Sequence, residues 1–467
     1  MASPPPPPAD AAVLAPSFAP PAALLPVRKP IDETKAVRRT LRLSLFEGAL
    51  VQAFLNWTTG SVIIGYMLHL GASPTELGLI ASVPMLAQLV SPFAAYLAGI
   101  VGQLKGLTAL TAFVGRILWL LAALLPLLGV PTELQPAFIV VLVMVSSLFQ
   151  ASTATLWSSW MGGVVPESQR GRYFGFRAGV VGIIGMVANL GAGWFLDHMG
   201  APLGFQIVLG VGVLSAVLAA VTLLWHYEPP VTRTPPHFRA IFHRPWKDAN
   251  FRKFLTFGVY WQGAVFIGAP FVFTYFIEHL KMSFTEIAIW SVIASLSALL
   301  TTNFWGRIAD RYGNKVVLAI GTTIAGSAMP LSWMLASEDR LWPIWFSAFF
   351  DAAAWGAIGP ALFNLALASA PKEDRTAFIA MFSFATGGAG FVGGLLSGPL
   401  LLLFSRFEPT VFGMGWTGFH SLFLVSGLLR LQAWRLLRPV QETNAWRTRD
   451  VLRLMRFGWR GSGFPWR

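Results

Sequence analysis

HLGASPTE, residues 69–76, and HLKMSFTE, residues 279–286, are two stretches of the chain that read alike and stand 210 positions apart. His, Leu, Ser, Thr and Glu recur at the same five of the eight places. A repeat of about 200 residues in an apolar chain is typical of two homologous halves in a membrane. We therefore expect the whole architecture to consist of two related halves.

Each of these stretches has the spacing of a helix start. Ser73 and Glu76, like Ser283 and Glu286, stand three apart, as in a capping box, where Ser accepts from first-turn N–H groups and Glu reaches back. Pro74 falls at the first helical position, where a missing N–H costs nothing. The repeat therefore predicts equivalent turns between spans 1 and 2 and between spans 7 and 8, in preference to a ligand site.

The composition indicates a membrane protein. The 467 residues are 55% hydrophobic and 12% charged, whereas a soluble domain carries roughly 25% charged residues. Crossing a bilayer takes about 20 mainly apolar residues. We expect an all-α membrane protein with twelve transmembrane helices, centred near Trp57, Gln88, Trp119, Ser147, Gly185, Val213, Phe266, Ser295, Ala325, Ala354, Gly390 and Phe423.

The net charge of +13 is explained by topology and does not require a nucleic-acid partner. With the N-terminus inside, the expected outer loops hold three of the 34 Lys and Arg residues: Lys281, Arg340 and Arg406. Arg116 falls inside a span, and the other 30 are assigned to the inner side. Such a split follows the positive-inside rule. It predicts a multi-pass protein of the cell (inner) membrane with both termini cytoplasmic.

Five segments follow from this topology. They are a disordered Pro/Ala-rich cytoplasmic tail (1–39), an N-terminal six-helix bundle (40–227), a cytoplasmic central loop (228–253), a C-terminal six-helix bundle (254–437) and a basic cytoplasmic tail (438–467). Across the first boundary, the basic segment from Ile31 to Ser44 is expected to be helical and to lead into span 1. Arg and Trp residues in the last tail suit either a helix lying on an anionic leaflet or an unstructured segment. Cysteine is absent, which excludes disulfides and Cys-ligated metals, and we expect no metal or cofactor.

After span 8 comes GRIADRYGNK, residues 306–315. It resembles the cytoplasmic loop motif of the major facilitator superfamily, G-x-x-x-D-R-x-G-R-[R/K], at Gly306, Asp310, Arg311, Gly313 and Lys315. Two departures stand out: position 314 is Asn instead of a basic residue, and the loop between spans 2 and 3, where the family shows the motif best, lacks the Asp-Arg pair. With the twelve spans and the two halves, the resemblance covers about residues 40 to 437.

The resemblance implies two pseudo-symmetric six-helix bundles that rock around a central site, the alternating-access mechanism. It also implies a conformational lock at this loop. Asp310 would interact with helix N-termini across the seam between the bundles, and Arg311 and Lys315 would hold the inner side. The alternative is that these residues are only topology charges.

Span 11 carries Gly390, Gly394 and Gly398 at four-residue spacing, and span 5 carries Gly175, Gly179, Gly182, Gly185, Gly191 and Gly193. Such series mainly allow helices to approach closely, so we interpret both as packing surfaces. Span 5 lacks the proline of a Gly-Pro-rich motif found in some drug antiporters of the family, which weakens an antiporter interpretation.

Polar groups within spans are the candidate site residues, because charge in lipid is costly and commonly functional. Asp351 near the middle of span 10 is the leading candidate for proton coupling or solute contact. A structural role is the alternative for Asp351, for Arg116 and for Glu47, whose partner in that case would be Arg42. Spans 1, 4, 7 and 10 line the cavity in the family, which adds these candidates: Trp355, Gln52, Asn56, Gln150, Trp157, Tyr260 and Gln262.

Secondary active transport of a small solute, with H⁺ as a candidate coupling ion, is the leading functional hypothesis. No nucleotide-binding loop is present, so this chain does not itself use ATP. Two alternatives stay open: a non-transporting sensor or scaffold with the same fold, and a membrane-embedded enzyme. The second is disfavoured because seven scattered His residues, without HExxH spacing, give no convergent catalytic group. We expect no enzymatic activity and a monomer among membrane lipids.

Overall fold

The structure is a computed structural model, and it describes residues 33–166, 169–229, 238–370, 375–407, 409–411 and 414–442. These residues form twelve helical spans, several of them interrupted by short turns. The helices of the spans, in chain order, are Glu33–Thr58 with Ser61–His69; Pro74–Ala87 with Ser91–Val101; Leu104–Ile117 with Trp119–Ala123; Gln135–Val164; Arg170–Met199; Leu203–Leu223; Ala249–Gly268 with Val272–Thr274 and the π-turn Tyr275–His279; Phe284–Tyr312; Asn314–Gly326 with Ala328–Met334; Trp342–Ala368; Arg375–Phe404; and Gly418–Leu437.

Ten of the twelve spans are long and apolar enough to cross a membrane. The remaining two are the first and the last. Span 1 begins with a charged segment before its apolar part and is interrupted at Gly60, whose φ is 63°. Span 12 carries Arg430 and Arg435. Many apolar side chains lie on the outside of the bundles; Leu300, for example, is 78% exposed. Such a surface suits lipid, and the predicted all-α membrane fold is confirmed.

The bundles have separate hydrophobic cores. One core is built from residues between Phe251 and Val440, and two smaller ones are built mainly from residues between Phe54 and Leu223. In the chain segment that connects the two bundles, which was expected to be a loop, the residues Phe238–Lys247 form a short helix. Span 7 begins at Ala249, where the Asp248 side chain accepts from the N–H of Phe251 at 2.7 Å.

The first helix begins at Glu33, so residues 33–39, which the division into segments gave to the disordered tail, belong to the helix expected over Ile31 to Ser44. The rest of the N-terminal tail and the part of the C-terminal tail after residue 442 lie outside the described residues. A two-stranded hairpin, Thr410–Val411 with Met414–Gly415, precedes span 12.

The two halves repeat in detail. Both predicted capping boxes are present, with the N–H of Ser73 and that of Ser283 each donating to its Glu at 2.8 Å. The turns before them share a left-handed residue, Gly71 with φ 76° and Lys281 with φ 51°. The repeat that opened the sequence therefore encodes two equivalent helix starts, as predicted. We call the ends of the spans at these turns the outer ends and the opposite ends the inner ends.

A second repeat lies at the inner ends. The Glu228 carboxylate, after span 6, accepts from the N–H groups of Leu104 and Lys105 at the start of span 3. The Glu442 carboxylate, after span 12, accepts from the N–H groups of Asn314 and Lys315 at 2.9 and 2.8 Å at the start of span 9. A carboxylate is stabilised at a helix N-terminus. Each bundle is thus closed on itself at the inner side by the same contact.

Span 11 packs closely against span 2 across the seam. A side chain added at Gly398 would meet the Pro74 carbonyl oxygen at 2.6 Å, and one added at Gly390 would meet Met85 at 3.0 Å. The predicted packing role of the span 11 glycines is confirmed. In span 5 it holds for Gly185 and Gly193, whereas Gly175, Gly179, Gly182 and Gly191 have open space beside them, so the interpretation is wrong at those four positions.

The second seam, between spans 5 and 8, is closed at its outer end. Asp197 near the end of span 5 accepts from the N–H of Phe284 at 2.9 Å and from that of Thr285 at 2.8 Å, both at the start of span 8. At Gly193, an added side chain would meet the Phe284 carbonyl oxygen at 2.6 Å. We call the contact of Asp197 with span 8 the outer latch. It joins one bundle to the other at the outer side.

Candidate functional site

A cavity of about 830 Å³ lies beneath the closed outer ends. Most of its wall comes from spans 1, 2 and 4, with further residues from spans 3, 5 and 7. It reaches towards the inner ends at Trp157 and the exposed Ser158. A volume of this size falls within the range of small-molecule sites. The cavity is therefore the candidate functional site.

Three charged residues are found among the described residues that line the cavity: Glu47, Arg116 and Arg177. The Arg177 Nη2 donates to Glu47 Oε2 at 3.2 Å, and the Arg116 Nη2 lies 4.0 Å from Glu47 Oε1. Glu47 is 3% exposed and Arg116 is 5% exposed. We call these three residues the charge cluster. It joins spans 1, 3 and 5 within the N-terminal bundle.

Arg177 reaches Glu47 because the first span offers no side chain in its path. A side chain added at Gly48 would meet Arg177 Nη2 at 2.5 Å. The Arg177 Nε donates to the carbonyl oxygen of Ser44 at 3.2 Å, and its guanidinium lies 4.4 Å from the centre of the Trp157 ring. A cation over an indole ring is favourable, so span 4 holds the guanidinium from the other side.

Polar side chains of spans 3 and 4 are held in a chain of hydrogen bonds beside the cluster. Gln150 Nε2 and Trp119 Nε1 both donate to Ser146 Oγ, at 2.9 and 2.8 Å. Ser146 Oγ in turn donates to the Gly115 carbonyl oxygen. Since Gln150 and Trp119 line the cavity, this chain fixes part of its wall.

Four of the predicted site residues line this cavity: Glu47, Arg116, Gln150 and Trp157. Arg116 pairs with Glu47, donates to the Ala216 carbonyl oxygen at 3.4 Å and borders the cavity. Arg42, expected as the partner of Glu47, is replaced in that role by Arg116 and Arg177. Span 5 brings the Arg177 guanidinium within 3.2 Å of the Glu47 carboxylate.

The predicted polar face of span 1 points elsewhere. Gln52 and Asn56 pack against Gly185 of span 5, where an added side chain would meet Gln52 Cγ at 2.8 Å. Asn56 Nδ2 donates to the Gln52 carbonyl oxygen at 2.9 Å. Gln262 of span 7 contacts Met85 of span 2, with 3.4 Å between Nε2 and the sulfur. These three residues belong to helix interfaces and do not line the cavity.

Asp351 also lies apart from the cavity wall, although the sequence made it the leading candidate. It belongs to the C-terminal bundle, beside Trp355 one turn further on and close enough to Arg430 of span 12 for electrostatic interaction. The Trp355 ring lies 6.3 Å from that of Trp261. Tyr260 packs against the core of the same bundle. The structure therefore separates the candidates into a cavity group and a C-terminal group.

Two arginines within spans were missed by the sequence interpretation, which assigned all Lys and Arg residues except Arg116 and the three outer ones to the inner side. Arg177 lies two turns into span 5, and Arg430 is 1% exposed in the interior of span 12. Arg430 donates to the carbonyl oxygens of Ala325 and Val265, each at 3.1 Å. Their distance from the span ends was the available signal, because an Arg more than one turn inside a span needs a partner.

The predicted lock loop joins spans 8 and 9. Gly313, with φ 97°, makes the turn, and Lys315 Nζ donates to the carbonyl oxygens of Arg438 and Val440, both at 2.7 Å. Lys315 thus binds the end of span 12 in its own bundle. Arg311 lies over the ring of its neighbour Tyr312, and Gly306 has open space beside it. Asp310 makes no hydrogen bond or ion pair with a described residue, so a contact across the seam is not formed in this conformation.

Within the described ranges, no group of three or more His, Asp or Glu side chains is placed to hold a metal ion. The chemistry available in the cavity is that of one carboxylate, two guanidinium groups and a few neutral polar side chains on an apolar wall. Such a set of groups is suited to binding and orienting a solute.

Comparison with known proteins gives one family and one fold. The model of the Major Facilitator Superfamily matches residues 45–393 and 263–460. No curated protein sequence matches the chain. Among solved structures, the nucleoside transporter NupG is 15% identical with a TM-score of 0.64, covering 87% of this chain and 98% of that one.

Two further structures show the same fold. The xylose transporter XylE from E. coli, in an inward open conformation, is 15% identical with a TM-score of 0.64 over 90% of this chain and 99% of XylE. A POT family transporter in complex with 5-aminolevulinic acid is 16% identical with a TM-score of 0.62 over 86% and 96% of the two chains.

Proposed function

The chain belongs to the major facilitator superfamily, and from that premise we propose that it moves a small organic solute across the cell membrane by alternating access. It is a multi-pass integral membrane transporter and not an enzyme. We infer that the solute binds in the cavity of 830 Å³, and one observation carries this: the outer latch joins the two bundles on the outer side, whereas the cavity extends towards the inner ends.

We take the described conformation as the one that faces the inner side. The two bundles would then exchange it for an outward-facing conformation by opening at the latch and closing at the lock loop. The Asp310 carboxylate is free to enter such a contact, because nothing described binds it now. The N-terminal bundle (40–227) supplies most of the cavity wall, and the C-terminal bundle (254–437) would move against it.

The inner ends are proposed to face the cytoplasm, with both termini on that side, because 30 basic residues were assigned there and three to the outer loops. A proton gradient is the proposed driving force. Glu47, in the cavity wall, and Asp351, in the C-terminal bundle, are the membrane carboxylates through which such a gradient would act.

The proposal is tested by uptake into proteoliposomes. Purified protein is reconstituted and offered a defined mixture with one monosaccharide, one nucleoside, one dipeptide and one aromatic carboxylate, with and without an imposed proton gradient. Mass spectrometry of the washed vesicles measures accumulation. We expect at least one solute to accumulate above the level in protein-free vesicles, and the gradient to raise its level.

Ala154→Trp is the matched control. Ala154 is exposed and lines the cavity, so an indole there fills the cavity without disturbing a packed core. Accumulation should fall to the background in this variant while its thermal midpoint stays unchanged. If wild-type and Ala154→Trp vesicles accumulate a solute equally above the protein-free level, the cavity is not the transport site. If wild-type vesicles accumulate none of the four solutes, a sensor or scaffold role takes the place of transport.

A further inference from the structure

We propose that the solute is an amphipathic organic monoanion whose acid group binds beside Arg177. This inference rests on the proposed function and adds the chemical class of the solute. It starts from the charges of the cavity wall. Two guanidinium groups face one carboxylate, which leaves one positive charge without a counter-charge among the described lining residues.

That excess charge lies in an apolar setting. Glu47 and Arg116 are buried, and the side chain of Arg177 is 19% exposed. Removing an unpaired ion from water costs several kcal/mol, and a partner of opposite charge offsets much of this cost. A bound monoanion would bring the cluster and its ligand to neutrality. Protonation of Glu47 would only increase the positive excess, so the sign of the preferred ligand is the same in either state.

Arg177 has a donor left for such a ligand. Its Nε donates to Ser44 and its Nη2 to Glu47, whereas its Nη1 donates to no described residue. Both terminal nitrogens of Arg116 already have partners: Nη1 donates to the Ala216 carbonyl oxygen, and Nη2 lies near the Glu47 carboxylate. A guanidinium donor beside a carboxylate gives a strong, charge-assisted hydrogen bond. The open Nη1 of Arg177 therefore marks where the acid group would bind.

The remaining wall sets the character of the solute body. It is formed largely by apolar side chains, including Val51, Leu55, Ile63, Ile80, Phe266 and Phe273. Binding sites of this kind bury an apolar body and orient it through a few polar groups. A highly hydroxylated neutral solute would leave its hydroxyl groups unpaired against this wall. An anion with an apolar body pairs its charge and buries the rest.

The test measures the sign of the cavity charge directly and uses the absence of cysteine from the chain. Ala154→Cys places a thiol in the cavity wall, and Thr132→Cys places one on an exposed outer turn. Each protein reacts with two methanethiosulfonate reagents, one carrying a sulfonate and one a trimethylammonium group. The ratio of the two rates at Ala154→Cys, divided by the ratio at Thr132→Cys, reports the local preference for an anion.

We expect this normalised ratio to favour the anionic reagent by roughly tenfold or more, as one unpaired charge nearby would produce at a low effective dielectric. Arg177→Gln and, independently, Arg116→Gln should return it close to one, since either removes the excess charge. Arg172→Gln is the matched control on span 5: Arg172 is exposed and does not line the cavity, so the ratio should keep its wild-type value.

A normalised ratio near or below one in the wild-type protein would overturn the anion assignment. So would an unchanged ratio in both Arg177→Gln and Arg116→Gln. Uptake separates this outcome from failure of the proposed function. If a neutral solute accumulates and the ratio is near one, the protein is a transporter but its solute is not an anion. If the ratio is high and no solute accumulates, the cavity favours anions but the proposed transport is contradicted.

Discussion

At the scale of single residues, the molecule is organised around Glu47. It brings together two arginines that lie 61 positions apart in sequence, Arg116 and Arg177, and it is nearly inaccessible to water. Removing one partner of a buried ion pair is strongly destabilising, because the other charge is left without compensation. Glu47 is therefore both a wall of the cavity and a support of the N-terminal bundle.

Glu47→Gln tests the supporting role. We expect a loss of about 3–5 kcal/mol of stability, since the two guanidinium groups would face each other without a carboxylate. The measurement is the thermal midpoint of the purified protein by tryptophan fluorescence. Glu133→Gln, on an exposed turn, is the control and should not change the midpoint.

Adding Arg177→Gln to Glu47→Gln should restore part of the decrease in thermal midpoint, because the double variant has one uncompensated charge fewer than Glu47→Gln. An unchanged midpoint in Glu47→Gln would show that the ion pairs of Glu47 with Arg116 and Arg177 do not contribute to stability.

The sequence predicted four of the cavity residues because charged and polar groups inside apolar segments are visible in any chain. Which neighbour each group meets was not predictable. Gln52 and Asn56 share a helix face, as expected, but that face meets Gly185 instead of the cavity. Arg177 was overlooked because its approach to Glu47 depends on Gly48, a contact between spans that no local pattern reveals. That Asp351 lies apart from the cavity wall is likewise a result of tertiary packing.

At the scale of helices, carboxylates at helix N-termini recur. Glu228 and Glu442 bind starts of helices within their own bundles, whereas Asp197 binds the start of span 8 across the seam. A carboxylate at such a position contributes up to about 1 kcal/mol when exposed. That is too little to determine the fold, but it is enough to alter the balance between two conformations of similar free energy.

Asp197→Asn should weaken the outer latch and increase the outward-open population. Spin labels at Leu203→Cys and Glu338→Cys, exposed positions near the outer ends of the two bundles, report the opening as a longer distance in double electron–electron resonance. Glu133→Gln, away from the seam, serves as the control. A distance distribution identical to that of the wild type would show that the latch does not hold the outer side closed.

Asp310→Asn should act in the opposite direction through the same labels. If Asp310 closes the inner side, its loss favours the inward-facing conformation and shortens the mean outer distance. Transport should fall while the protein stays folded, because Asp310 is exposed. If transport and the distance distribution between the labels are both unchanged, the loop is not a conformational lock, and its charges serve only to orient the protein in the membrane.

At the scale of the whole molecule, the repeat of 210 positions predicted the architecture correctly. Two halves with matching helix starts, matching left-handed turns and matching inner carboxylates leave little freedom in how the chain is arranged. The boundaries were less predictable. The helix Phe238–Lys247 in the central segment carries several charges, so hydrophobicity did not reveal it.

The orientation of the whole molecule in the membrane, with the inner ends in the cytoplasm, is also a testable prediction. In intact cells, Thr132→Cys should react with an impermeant maleimide, whereas Gln103→Cys, exposed at an inner turn, should react only after permeabilisation. The expected pattern follows from the positive-inside rule. The reverse pattern would place the termini outside the cell and would contradict the assignment of inner and outer ends to cytoplasm and exterior.

The uncompensated guanidinium charge has a kinetic consequence. A carrier that is neutral when loaded and cationic when empty meets its larger barrier on the unloaded return, since closing around a bare ion is costlier than closing around a paired one. Solute waiting on the far side would remove that barrier. Preloaded vesicles should therefore take up labelled solute faster than empty ones, and this trans-acceleration should disappear in Arg177→Gln. The same arginine that selects the cargo would then make exchange faster than one-way flow.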